Sequence, residues 1–222
     1  MFLGHFGLGL GARKAAPGVS LGVLFMAAQF ADLLWPTLLL VGIERVDIVP
    51  GITAMTPFDF VSYPYSHSLL ALIAWGVLFA IVYAVAARAT AAAGVVLALL
   101  VVSHWVLDVI THRPDLPLTP GGATKVGLGL WNSAPGTLFA ELLIFFAGVA
   151  IYTRATVARD RAGSIGFWSL VAFLLIVYAA AVFGPPPADW HAVAWSAQAM
   201  WLLVAWGFWV DRHRAASSTT KR

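Results

Sequence analysis

Residues 91–112 read AAAGVVLALLVVSHWVLDVITH. Twelve small or apolar residues run without a break to Ser103, and the whole stretch matches the ~20 residues of helix that cross a bilayer. Yet it carries His104, Asp108 and His112 at positions i, i+4 and i+8. At 3.6 residues per turn each step drifts by only about 40°, so the three side chains form one stripe. An ionisable stripe on an apolar span must face the bundle interior or a water-filled cavity. An imidazole and a carboxylate one turn apart also let a single helix supply two ligands to a divalent ion.

The rest of the chain has the same character. Of its 222 residues, 61% are hydrophobic and 10% charged, against roughly 45–50% and 25% in soluble domains. Too many long apolar stretches recur for one soluble core to absorb, so the expected fold is all-α, a polytopic membrane helical bundle. Spans are expected at 19–43, 68–87, 91–110, 137–153, 165–183 and 191–210, six in all. A Gly-rich apolar segment, 2–12, is too short to cross and reads as a half-span packed among the others, with Gly4, Gly7, Gly9 and Gly11 permitting close helix approach. One integral-membrane domain, 1–214, is expected, followed by a polar, solvated tail, 215–222. Cysteine is absent, which excludes disulfides and thiolate metal sites. No basic run with interleaved aromatics points to nucleic acid.

Ten of the thirteen Lys and Arg fall on one side of a six-span topology, and only Arg45, Arg113 and Lys125 on the other. The positive-inside rule then puts the C-terminus in the cytoplasm and the long loops 44–67 and 111–136 outside. No paired broken helices are visible in two halves, which counts against a transporter.

The intramembrane ionisable residues are few: Asp32, His104, Asp108 and Glu141, with His67 opening the second span, His112 and Asp115 following the third, and His5 in the half-span. The topology brings Asp32, His67, His104 and Asp108 to one depth in the outer half of the bundle, with His5 joining if the half-span runs inward. Asp32 stands just before Trp35-Pro36, where Pro36 removes a helical hydrogen bond and permits a bend. Imidazoles and carboxylates without thiolate suit a divalent metal, Zn first, with Mn or Fe as alternatives. Glu141 reads equally as a general base, an extra ligand or a charge at a helix N-terminus. His112, Asp115, Asp189 and His191 read as interface residues for which ordinary solvation is the simpler account. A purely structural network of buried hydrogen bonds is the alternative for the whole cluster.

At these residues the sequence resembles the YdjM/YbcI-like family of bacterial inner-membrane proteins, described as membrane-bound metal-dependent hydrolases. Gly4-His5, Asp32 in FADLLWP, His67 in SHSLL, and His104, Asp108 and Thr111 in SHWVLDVIT match that family's motifs in order, over about half the chain. The His, Asp, His, His-x-x-x-D order is also remotely similar to zinc-dependent phospholipase C. The resemblance implies one metal site from Asp32, His67, His104 and Asp108, with His5 and Asp108 helping a neighbouring ion. Two motifs depart from the family: Leu34 and Trp35 stand where members carry Asp and His, and residues 62–64 lack the family's His-Arg, so a natural phosphate clamp is missing.

The expected function is a membrane-embedded metal-dependent hydrolase of the bacterial inner membrane. Its site would lie toward the periplasm, where it would act on a lipid-like or lipid-linked ester or phosphoester from the outer leaflet. Glu141 or His112 is the expected proton-transfer group. The alternatives are a divalent-ion or proton transporter or channel, and a non-catalytic scaffold. The apolar inner halves, such as AAAGVVLALL, favour a dead-end site over a pathway.

Overall fold

The computed structural model describes residues 1–217. It is an all-α bundle. Helix α1 (Leu3–Gly11) is followed by a 3-10 turn, then α2 (Leu21–Ala28) and α3 (Phe30–Leu40). A β-ribbon, β1 (Arg45–Ile48) with β2 (Phe58–Ser62), leads into the one-turn α4 (Pro64–His67). The helices α5 (Leu69–Ala87) and α6 (Ala91–Thr111) form a hairpin. Two-residue strands β3 (Leu116–Pro117) and β4 (Lys125–Val126) precede α7 (Ala134–Ala155). Strand β5 (Thr156–Ala158) leads to α8 (Arg161–Phe183), α9 (Trp190–Gln198), α10 (Met200–Arg212) and β6 (Arg214–Ala216).

The helix ends follow local chemistry. Ser20, Ser68, Thr90, Ser133, Asp160 and Asp189 each stand at an N-cap and accept a backbone N–H of the first turn. The tight α5–α6 turn is closed by Arg88 in the left-handed region, φ 49°. Four uninterrupted helices, α5, α6, α7 and α8, are long and apolar enough to cross a membrane, and so is α9–α10 taken together. The pair α2–α3 makes a sixth if it is one bent span. Their outward faces carry exposed Val77, Ile81, Val85, Leu99, Phe139 and Ile176, side chains that water does not favour and hydrocarbon does.

The structure corrects the expected break in the first span. Pro36 lies inside α3, and the 59° bend falls at Gln29 instead. The helix tolerates one missing N–H at Pro36. At Gln29 the bend is supported by tertiary contacts: the Gln29 amide donates to the Phe2 carbonyl, and the neighbouring Ala28 carbonyl accepts from His104. The last span is also interrupted, at Ala199. The two interrupted pairs pack on each other, α2 against α10 through Gly22 and Gly207, and α3 against α9. Broken helices are therefore paired in space, although nothing in the sequence announced it. The last strand joins the domain's end to the start of the tail. Ala215 and Ala216 pair with β5, and Arg214 is buried against Thr156, Tyr152 and Phe167, while residues 218–222 lie outside the described residues.

The half-span holds as a buried element. Helix α1 lies inside the bundle against α7, α2 and α6, with Leu3, Phe6 and Leu10 fully buried. Its contact with α7 is glycine on glycine. A Cβ at Gly7 would lie 2.7 Å from the Ile144 carbonyl, and one at Gly148 would collide with the Gly7 backbone. Neither can move without separating the helices. Gly148→Ala is expected to cost about 1–3 kcal/mol by overpacking. Thermal unfolding in detergent should show it as a lowered midpoint. Gly18→Ala, where a Cβ meets nothing within 4 Å, should leave the midpoint unchanged.

Candidate metal centre

His104 projects from α6 with its Nδ1 2.9 Å from the Ala28 carbonyl. A carbonyl can only accept, so Nδ1 carries the proton, and in the neutral ring Nε2 keeps a lone pair. The bend between α2 and α3 sets this tautomer. His104 Nε2 is buried without a hydrogen-bond partner, 3.2 Å from Asp108 Oδ2 one turn further along.

His67 reaches the same point from the short helix α4. Its Nδ1 lies 2.7 Å from Ser66 Oγ, and the Ser66 hydroxyl donates to Glu44 Oε2 at 2.6 Å. Having given its one hydrogen to Glu44, Ser66 can only accept from His67 Nδ1–H. His67 Nε2 is thus also a lone pair, 3.4 Å from Asp32 Oδ1 and 3.9 Å from Asp108 Oδ2. Buried Glu44 further accepts the N–H groups of Tyr65 and Ser66, which fixes α4 to the start of the ribbon.

His112, at the C-cap of α6, donates from Nδ1 to Asp115 Oδ1 at 3.0 Å, and Tyr63 donates its hydroxyl to the same oxygen at 2.9 Å. Burial and the adjacent Asp115 push the Tyr63 phenol far above its usual value, so it stays a donor. His112 Nε2 then points at Asp108 Oδ2, 3.9 Å away.

Three imidazoles therefore have Nδ1 committed to an oxygen and Nε2 turned toward two carboxylates. Imidazole nitrogens and carboxylate oxygens held this close fit a shared positive charge, either a metal ion or protons on the Nε2 atoms. Ligand atoms in a tetrahedral site with bonds of about 2.0–2.1 Å lie roughly 3.3 Å apart. The four His–Asp separations that link Asp32, His67, His104 and Asp108, 3.2 to 3.9 Å, bracket that value. Two overlapping groups, Asp32–His67–His104 and His5–His104–Asp108, each bring their ligand atoms within 4.8 Å of one another. This buried group can hold a metal ion. Because His104 has one free lone pair, it cannot serve two ions at once.

His5 stacks on His104, ring centroids 3.6 Å apart and nearly parallel, and its Nε2 meets the other oxygen of Asp108, Oδ1, at 3.1 Å. The Met1 amine also donates to Oδ1, at 2.5 Å. Glu141 is in neither ligand group. Its two oxygens accept the N–H of Phe2 at 3.1 Å, and one accepts that of Gly4 at 3.0 Å, which satisfies donors that the start of α1 leaves open.

No family model, curated protein or solved structure matches this chain.

Several residues of the site carry no mark in the sequence. Glu44 and Ser66 gave no sequence signal, because the ribbon brings residue 44 back to residue 66. His112 and Asp115, read as solvated interface residues, are both buried, Asp115 beneath Tyr63 and the His112 ring. The H-x-x-D spacing from His112 was its only trace. Asp189 instead caps α9, beside an exposed His191.

Glu44→Gln keeps the shape but weakens the acceptor that fixes the tautomer of His67. Metal affinity is expected to fall about 10–100-fold. Titration with a zinc chelator beside wild-type protein would measure it, and unchanged affinity would remove Glu44 from the site.

Proposed function

We propose that this chain is a metal-dependent hydrolase of the bacterial inner membrane. In this reading Asp32, His67, His104 and Asp108 bind one divalent ion, zinc before manganese or iron, near the periplasmic side. The observation that carries it is the convergence of three Nε2 lone pairs on two carboxylates, each imidazole fixed from behind by an oxygen. The ion supplies Lewis acidity, lowering the pKa of water toward ~7 and polarising an ester or phosphoester oxygen.

The protein's own groups have separate tasks. Asp32 is the ligand most open to the cavity, its side chain 24% exposed, so it borders the substrate. His112 is the proton-transfer group. It takes the proton of the attacking water as the new bond to carbon or phosphorus forms, and returns it to the leaving oxygen as the old bond breaks. Asp115 and Tyr63 hold its ring in place, and Asp115 offsets the charge it gains. His5 positions Asp108 through Oδ1. Glu141 anchors α1 and takes no part in proton transfer.

A transporter would need polar side chains leading from this cluster to the far end of the bundle. Buried Phe6, Leu10, Phe25, Phe145, Val149 and Val204 fill that space instead.

Detergent-purified protein is expected to retain about one equivalent of a transition metal by mass spectrometry, in keeping with the single lone pair of His104. His104→Ala and Asp108→Ala should lose it while keeping their helical content. His112→Ala should keep the metal and lose hydrolysis by about 100-fold or more. A wild type that stays empty after reconstitution with excess zinc would turn the cluster into a proton-held packing network and end the hydrolase reading.

A further inference from the structure

A cavity of about 880 Å³ begins at the metal centre and does not end there. One end is polar, walled by Asp32, His67, Asp108 and His112. From that end it runs between α8 and α9–α10, where its walls are Phe173, Val177, Val182, Met200, Leu203 and Trp206. The loop 50–58 and the Pro-rich turn 184–187 also border it. Its size is that of a site for a small organic molecule, roughly 300–1,000 Å³, but its chemistry is split along its length.

Exposed residues border it both at the Pro-rich turn 184–187 and on the apolar flank. Asp108 and His67 are 2% and 3% exposed, whereas Phe173 is 43% and Leu202 72% exposed at the other extreme. Phe173 stands ten residues before the end of α8, about 15 Å along the helix axis. That is half of the ~30 Å hydrocarbon thickness a spanning helix crosses. The apolar flank thus opens at a depth occupied by acyl chains. A water-soluble substrate has no use for an apolar slot that runs from the reactive groups to the side of the bundle. An amphiphile does, because its headgroup linkage and its chain then each meet a matching wall.

We infer that the cleft between α8 and α9–α10 is an acyl-chain subsite and lateral access route, through which a membrane amphiphile brings the ester or phosphoester next to its headgroup to the Asp32–His67–Asp108 end. This rests on the hydrolase reading for the reaction, and on the cavity alone for the binding. The substrate class is a membrane lipid or lipid-linked compound, held by its chain against Val177, Met200 and Leu203. Water adds across the ester, the bond to the leaving oxygen breaks, and the chain-bearing product leaves sideways into the bilayer.

The test uses phosphatidylglycerol with a mid-chain diazirine, in vesicles of phosphatidylethanolamine and phosphatidylglycerol containing the wild-type protein. After irradiation, peptide mapping is expected to find label on Met200 and Leu203, the latter shielded from bulk lipid. Label on exposed Ile176 and Phe183 gives the background. Val177→Trp should reduce cleft labelling several-fold without changing the background or the metal content. Ala181→Phe, at an exposed margin of the cleft, serves the same purpose should the first variant fold poorly. Unlabelled Met200 and Leu203 in a metal-containing wild type overturn the subsite and leave the hydrolase reading standing. A labelled cleft in protein that binds no metal overturns the substrate assignment together with the hydrolase reading, and leaves only lipid binding.

Discussion

Two carboxylates, Asp32 and Asp108, stand among helices otherwise built from Leu, Val, Ala and Phe. Taking an ion out of water costs several kcal/mol even after the protein relaxes, unless charge and hydrogen bonds compensate it. Asp108 is the harder case, being almost fully buried on α6. The elements that meet the site end of the bundle are arranged around this cost. Helix α1 brings His5 and the N–H groups that engage Glu141, the bend at Gln29 turns a carbonyl toward His104, and the ribbon carries Glu44 to Ser66 and His67. The irregular features of the fold concentrate where the charges are. The regular hairpin α5–α6 supplies His104 and Asp108 from its inner side and meets lipid on its outer one.

The opposite end solves a similar problem without converging lone pairs. Arg13 pairs with Asp211 at 3.3 Å and also reaches the Val19 carbonyl, Tyr152 donates to Asp211, and Leu21 N–H completes its set at 2.5 Å. Arg214 spreads its guanidinium over Thr156, the Gly163 carbonyl and the faces of Tyr152 and Phe167. There Asp211 faces a permanent cation, Arg13, and accepts from a backbone N–H and a tyrosine hydroxyl as well. At the site end the Met1 amine engages one oxygen of Asp108, while the remaining carboxylate oxygens of Asp108 and Asp32 face imidazole nitrogens.

What could be read in advance divides along the same line. The spans were legible to within a few residues because length and hydropathy decide them in lipid, where every backbone group must be satisfied inside the segment. The His104–Asp108 pair was legible because helical geometry fixes i, i+4 neighbours. The tertiary relays were not. Glu44 lies in a polar loop, and only the β1–β2 pairing shows where that loop returns. The bend was misplaced for a related reason: Pro36 is a local signal, whereas Gln29 breaks the helix through partners on α1 and α6. Glu141 was visible as a buried charge, but its use by Phe2 and Gly4 depends on where the half-span docks.

The docking of α1 against α7 also governs when the site can exist. Gly7 and Gly148 touch backbone to backbone, although some 140 residues separate them in the chain. During translation at about 5–20 residues per second, α1 waits roughly 7–28 s for its partner helix to be made. Until then α1 has only α2 and α6 to pack on, and its start has no carboxylate to receive its N–H groups. A ribosome-bound chain stopped before α7 would thus carry Asp32, His67, His104 and Asp108 without the element that closes over them. Completion of the centre is coupled to the synthesis of more than half the protein, which delays metal capture until most of the helices that enclose it are in place.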